Sequence, residues 1–316
     1  MKILVVGAGA VGQVFATHLR RSGAYVALYV KPKHAEACQR GLTLYSHRLF
    51  RRHTVETLHP DDVYTTLDEV AGQRWDQVWL CVSTAALEGE WLDPLLEAIG
   101  DATLVCPQPG LHVLERVSHI VPPQQVVSGT IGFMSYQAPL PGEALDPGVA
   151  YLFPPLGASR FSGHPDRVDP VVAALRRGGC PARVVRDARA TLAYSSAFLL
   201  PHVAALEGAG WTFEDLRHGP WLRLASRACA EAMRVVRTEL GVRLPWYRIF
   251  AQPTLVRIAT LVLPILLPFD VERFARYHFT KIGDQNRLVM QGLYEGARQH
   301  GIEAPGLTEL YERVYG

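Results

Sequence analysis

The chain has 316 residues, of which 48% are apolar and 20% charged, with a formal net charge of +2. That length suits two domains, each able to bury a core. The balance excludes a disordered chain, a coiled coil and a nucleic-acid binder that rests on bulk positive charge. Of the 32 basic residues only four are lysines: Lys2, Lys31, Lys33 and Lys281. The codon usage of a GC-rich genome is the plain explanation, yet any mechanism that needs an amine has almost nowhere to find one. Cys38, Cys81, Cys106, Cys180 and Cys229 form no CxxC pair and no His stands at zinc spacing, so no metal site is expected. This odd scatter, on a chain that starts directly on a strand without a charged leader, predicts a reducing, cytoplasmic setting.

In chain order, KILVV (residues 2–6) predicts a buried strand. Gly7-Ala-Gly9-Ala10-Val11-Gly12 follows and opens an amphipathic helix with Val14, Phe15, His18 and Leu19 near one face. YVALYV then forms a second strand. In this strand–turn–helix context the glycines carry a mechanism. Gly7 makes the turn, Gly9 lets a pyrophosphate approach the backbone, and Gly12 lets the helix pack on the sheet. The free N–H groups at Ala10, Val11 and Gly12 face the phosphates. The alternative is an ordinary glycine-rich turn. The second strand ends in Val30-Lys31-Pro32-Lys33-His34, with no acid before Glu36 to bond a ribose. Lys31, with Lys33 or His34 beside it, suits a 2′-phosphate, so NADP(H) is the expected cofactor; the alternative is a solvated pair of lysines.

Beyond this point Leu42–Tyr45 and His53–Leu58 predict a strand pair and Trp75–Val82 a buried strand. A helix is expected around Leu87–Ile99, a strand over Thr103–Cys106 and a helix over His112–His119. Val126–Ser128, Gly129–Tyr136, Gly148–Phe153 and Ala182–Val185 read as strands, and Val171–Arg177 as helical. Together they predict one doubly wound sheet. From Asp187 onward only helices are expected, roughly over 188–208, 212–240, 245–266, 270–300 and 306–315, punctuated by prolines.

Four stretches now carry a resemblance: GAGAVG at 7–12, the GAYVALYVK stretch ending at Lys31, LVCPQPGLHVLERV at 104–117 and QNRLVMQGLYEGARQHGIEAP at 285–305. On these the sequence resembles the ketopantoate reductase family along nearly its whole length. The resemblance implies an NADPH-dependent reduction of a 2-oxo acid in a cleft between two domains, and a possible homodimer. Lys31 falls where the family keeps an Arg for the 2′-phosphate. The family's catalytic residues do not carry over. Its proton-donating Lys falls on Ser195 or Leu192, its supporting Asn positions on Leu199 and Val203 or Leu200, and its Asn before Gly on Pro109, beside Gln108. Its cofactor-side Lys falls on Ser83, and its substrate-binding Glu on Gln285. Ser83 and Gln108 are kept as candidate cofactor contacts, Ser195 and Gln285 as candidate substrate contacts.

Hydride addition to a carbonyl creates an alkoxide that needs a proton or a clamp. Lys281, four residues before Gln285 on the same face of the predicted helix, is the first candidate donor. His202, two turns beyond Ser195, is the second. Each has a structural alternative, an exposed or carboxylate-paired lysine and a packed histidine, and Asp284 can pair with Arg287 or Lys281. Tyr136 and Tyr194 are further phenol donors. The apolar run IATLVLPILLPF (258–269) is too short to span a bilayer and carries two prolines, so it reads as core or pocket wall. Over Leu255–Phe269 the alternatives are a pocket for a bulkier substrate or a dimer face, with membrane contact not favoured.

The expected architecture is thus an α/β chain, an N-terminal Rossmann-type doubly wound domain over 1–186 followed by an all-α domain over 187–316. The expected function is an NADPH-dependent oxidoreductase acting on a small-molecule carbonyl, 2-oxo acid-like but other than ketopantoate. The alternative is a non-catalytic NADP(H)-binding or partner-binding protein on the same fold.

Overall fold

The computed structural model describes residues 1–49, 51–108, 113–155 and 157–316. They divide into two units, Met1–Arg189 and Ala190–Gly316.

The first unit runs β1 (Lys2–Val6), α1 (Ala10–Arg21), β2 (Tyr25–Tyr29), α2 (Pro32–Arg40), β3 (Leu42–Arg48), β4 (Arg51–Leu58), β5 (Asp62–Tyr64), α3 (Leu67–Ala71) and β6 (Gln77–Leu80). It continues with α4 (Leu92–Ala98), β7 (Thr103–Cys106), α5 (Val113–Ser118), β8 (Val126–Gly129), β9 (Met134–Ala138), β10 (Gly148–Leu152), β11 (Ser159–Ser162), α6 (Pro165–Arg177) and β12 (Ala182–Val184). β1 is apolar almost throughout because both faces of its strand are covered. It pairs in parallel with β2 through Leu4 and Ala27, and with β6 through Val5 and Trp79. The main sheet has eight strands in the order β12-β11-β8-β7-β6-β1-β2-β5. One apolar cluster with Phe15, Trp79, Val105, Val127 and Phe161 packs one face. Another with Leu4, Val78, Leu80, Leu92 and Leu104 packs the other. Each such side chain contributes about 1.5–3 kcal/mol on burial. Successive strands leave β1 toward β2 and later return on its other side at β6. The carboxyl ends of β1 and β6 therefore form the crevice where doubly wound sheets bind ligands.

A single sheet does not hold all the strands. β4, β3, β10 and β9 form a separate four-stranded sheet. In it β10 runs parallel to β3 and antiparallel to β9. α1 contacts strands of both sheets, so every residue from Gly12 to Leu19 is buried, not only the apolar face. His18 meets this burial by donating from Nδ1 to Gly178 O at 2.8 Å, and burial pushes its pKa down. The expected helix around Leu87–Ile99 is a 3-10 turn over Thr84–Glu88 followed by the shorter α4. α3, short but closed by a capping box between Thr66 and Glu69, was not expected.

The second unit is all helical: α7 (Ala188–Gly208), α8 (Phe213–His218), α9 (Trp221–Leu240), α10 (Pro253–Leu266), α11 (Val271–Lys281), α12 (Gly283–Gln299) and α13 (Pro305–Tyr315), with a 3-10 turn at Trp246–Ala251. Three expected helices break in two. The first breaks at Gly219-Pro220, and the second at Gln252 before Pro253. The third breaks at Ile282, whose φ of −109° and ψ of 25° leave the helical region before Gly283. Within the apolar run 258–269 only Thr260 and Phe269 are buried, while Ile258 is 51% and Ile265 80% exposed, so the part of it in α10 is not core, which corrects that half of the expectation. No single helix among the described residues is long and apolar enough to cross a membrane.

Candidate functional site

The candidate nucleotide contacts meet at the carboxyl edge of the main sheet. Gly7 turns out of β1 with φ of +94°, a conformation that strains any L side chain, and a Cβ there would meet Cys81 O at 2.9 Å. Its N–H donates to Tyr29 O at 2.9 Å, tying the end of β2 to the turn. Gly12 is tighter: a Cβ would stand 2.1 Å from Gly7 O and 3.1 Å from the Cys81 Cβ. The chain's own packing therefore requires both glycines. Gly9 is different. Among the described residues nothing lies within 4 Å of a Cβ built there, and as the N-cap of α1 it brings no side-chain cap. α1 also has no acid in its first turn. The N–H groups of Ala10, Val11 and Gly12 thus stand at the positive end of the helix with no internal anion.

The residues present fit a nicotinamide dinucleotide. The open face at Gly9 and the uncapped helix start suit a pyrophosphate. Lys31, the N-cap residue of α2 just past β2, is exposed and enters no ion pair among the described residues. Ser83, also exposed, precedes the 3-10 turn at the end of β6 without capping it by its side chain. Gln108 follows β7 and is buried. Its amide Nε2 donates to Leu80 O, and to Val82 O at 3.3 Å, so its NH₂ group is spent on the β6 strand end. Its Oε1 is buried with no partner among the described residues, leaving one acceptor for a bound group. Pro109 and the rest of 109–112 lie outside the described residues.

In the second unit the candidates are not gathered in this way. Lys281 is the exposed last residue of α11. Gln285 lies across the break on α12, so the expected shared helix face does not exist. Nor does Asp284 pair with Arg287 or Lys281 among the described residues. Ser195 is exposed and its hydroxyl donates back to Thr191 O at 2.9 Å. Tyr194 donates to Val242 O at 3.1 Å, and in the first unit Tyr136 of β9 donates to Glu143 at 2.7 Å. On α7, His202 Nδ1 lies 2.6 Å from Phe198 O. A carbonyl only accepts, so Nδ1 carries the proton. Nε2 is shut off from solvent without a partner among the described residues, and burial pushes the pKa below the ordinary imidazole value. A neutral ring in this tautomer offers Nε2 as an acceptor, which disfavours the expected role as a proton donor.

Two residues near Lys281 escaped sequence reading. His278, one turn earlier, stacks on Phe274 at 5.3 Å. Burial, and then the Lys281 charge, lower its pKa to about 4. Asn286 is 3% exposed and donates from Nδ2 to Phe279 O at 3.1 Å, clasping α12 to the end of α11. The signal for both was Gly283 inside YHFTKIGDQN, a helix interruption with polar residues on either side.

Residues 3–146 match the model of the ketopantoate reductase PanE/ApbA family. The chain's resemblance to ketopantoate reductases extends to solved structures. A PanE/ApbA family ketopantoate reductase from Ralstonia eutropha JMP134 superposes with a TM-score of 0.75 at 20% identity, over 99% of this chain and 97% of that one. The 2-dehydropantoate 2-reductase of Methylococcus capsulatus gives 0.74 at 16%, over 99% and 95%. A D-mandelate dehydrogenase solved with NADH and anilino(oxo)acetate gives 0.73 at 15%, over 100% and 97%. At such identities the likeness establishes the fold, that of the ketopantoate reductases. No curated protein matches the sequence.

Proposed function

We propose that the chain is an NADPH-dependent oxidoreductase of the ketopantoate reductase type, which reduces the carbonyl of a 2-oxo acid-like substrate other than ketopantoate. The observation that carries this reading is the contrast at the turn, where Gly7 and Gly12 are closed by the protein itself while Gly9 faces open space at a helix start. The match of residues 3–146 to the family and the likeness to a dehydrogenase solved with NADH and an oxo acid support it. When bound, the dinucleotide supplies the hydride. Ala10, Val11 and Gly12 hold the pyrophosphate with backbone N–H groups, and Lys31 meets the 2′-phosphate with an ammonium. Lys281, the only lysine of the second unit, gives a proton to the carbonyl oxygen as it gains charge. Ser195, Gln285 and Ser83 stand where the family has charged groups, which argues for a changed substrate.

The test is NADPH consumption against a panel of 2-oxo acids, ketones and imines, alongside calorimetry of NADPH and NADH. Turnover of at least one member, with NADPH bound more tightly than NADH, is expected. Ketopantoate reduced as fast as the best member would overturn the changed substrate. Nucleotide binding without turnover of any member would overturn the reductase and leave a nucleotide-binding protein.

A further inference from the structure

The second unit presents an apolar surface with a distinct charge pattern. Along α10 the exposed residues Ile258, Leu261, Val262, Ile265 and Leu266 recur at helical spacing and form one stripe. The opposite side of the helix is anchored, since Thr260 is buried and the Arg217 side chain of α8 donates to its carbonyl at 3.4 Å. The preceding 3-10 turn, which packs against α10, is exposed and apolar too, with Trp246 75% exposed and Ile249 and Phe250 also exposed. Arg243, Arg248 and Arg257 are exposed in the same stretch, Arg257 at the flank of the stripe. From Gly241 to Phe269 there is no Asp or Glu.

An isolated exposed leucine needs no explanation, but a contiguous stripe of this size marks a contact surface. Two occupants are natural, a second copy of the chain and a lipid surface. A two-fold contact would place this patch against itself, bringing three arginines toward three arginines with no carboxylate within the patch to offset them. A bilayer with anionic headgroups supplies the opposite charge, and it accepts the apolar stripe and the amphipathic indole of Trp246 at the same depth. We infer that the face formed by the 3-10 turn and α10 docks the protein in the plane of an anionic phospholipid bilayer. The helix lies in the interface, with Ile258, Leu261, Val262 and Ile265 below the headgroups and Arg243, Arg248 and Arg257 among the phosphates.

The experiment is sedimentation of the full chain with phosphatidylcholine vesicles, with and without phosphatidylserine. Binding is expected only with phosphatidylserine and should fall as salt rises. Each of R243Q, R248Q and R257Q should weaken partition about fivefold, and the L261S/I265S double variant about tenfold or more. These side chains are exposed, so unchanged melting temperatures should accompany the losses. Brominated lipid should quench tryptophan emission in the wild type and much less in W246F. No binding to phosphatidylserine vesicles, or binding untouched by L261S/I265S, would overturn the inference. So would a concentration-dependent dimer in sedimentation velocity that L261S/I265S dissolves while the wild type ignores vesicles.

Discussion

The two units treat polarity in opposite ways. In Met1–Arg189 the candidate chemistry is backbone, N–H groups at the start of α1, framed by glycines that an apolar double-sided core holds in place. In Ala190–Gly316 the chemistry rests on side chains, and the usual distribution is partly turned over. His202 Nε2 and Asn286 are shut away while α10 shows its leucines and isoleucines to the outside. A site made of backbone depends on local geometry and stays recognisable as a short motif. A site made of side chains depends on where helices end and how they pack, and one break at Ile282 moves Lys281 off the helix of Gln285.

The contrast can be broken most directly at Lys281. K281A should lower kcat about 10²–10⁴-fold with a stability change within about 0.5 kcal/mol, as for other exposed positions. Full activity would remove side-chain acid catalysis by this residue. Next in size is G12V, which should destabilise the first unit by about 1–3 kcal/mol through overpacking and abolish nucleotide binding, read by melting and calorimetry together.

The burial of His278 sets a pH window of comparable size. Its pKa is about 4 in the folded chain, against 6.5 for the free imidazole. The unfolded state therefore binds the extra proton first as pH falls. Stability is full above about 6.5 and is lost as pH drops toward 4, by roughly 3 kcal/mol from this group. H278F should flatten that part of a melting-temperature profile. K31A should cost about 1.5–3 kcal/mol of NADPH affinity and leave NADH unaffected, and equal losses for both nucleotides would deny Lys31 the 2′-phosphate. The smallest effect separates the glycines from one another. The Cβ of G9A meets none of the described residues beyond its chain neighbours, so the substitution should leave melting intact yet weaken NADPH about tenfold, ~1.4 kcal/mol.

Legibility in the sequence follows the same division. β1, the glycine turn, α1 and β2 were readable because strand, turn and helix are contiguous and their periods differ. The partition into two sheets was not. β10 pairs with β3 at Val149 and Leu44, and nothing in either strand's own alternation names a partner so far along the chain. Of the two readings of 258–269, core or pocket wall, core failed over α10 for a plain reason: hydrophobicity predicts that a segment leaves water, not that it enters this chain's own interior. Lys281 was found as a residue and misplaced as geometry. Gly283 inside a periodic pattern is tolerated by many helices, and it is the backbone of Ile282, outside the helical region, that separates the two helices here, with Asn286 clasping Phe279 O across the break.

The stretch from Gly241 to Phe269 contains no Asp, Glu, His or Lys, only three arginines among apolar and neutral residues. A guanidinium keeps its charge across the whole physiological range, so this surface has no group that a change of acidity could switch. Lysine acetylation has no target there either. Its charge is constant, and the environmental variable left to tune whatever it touches is ionic strength.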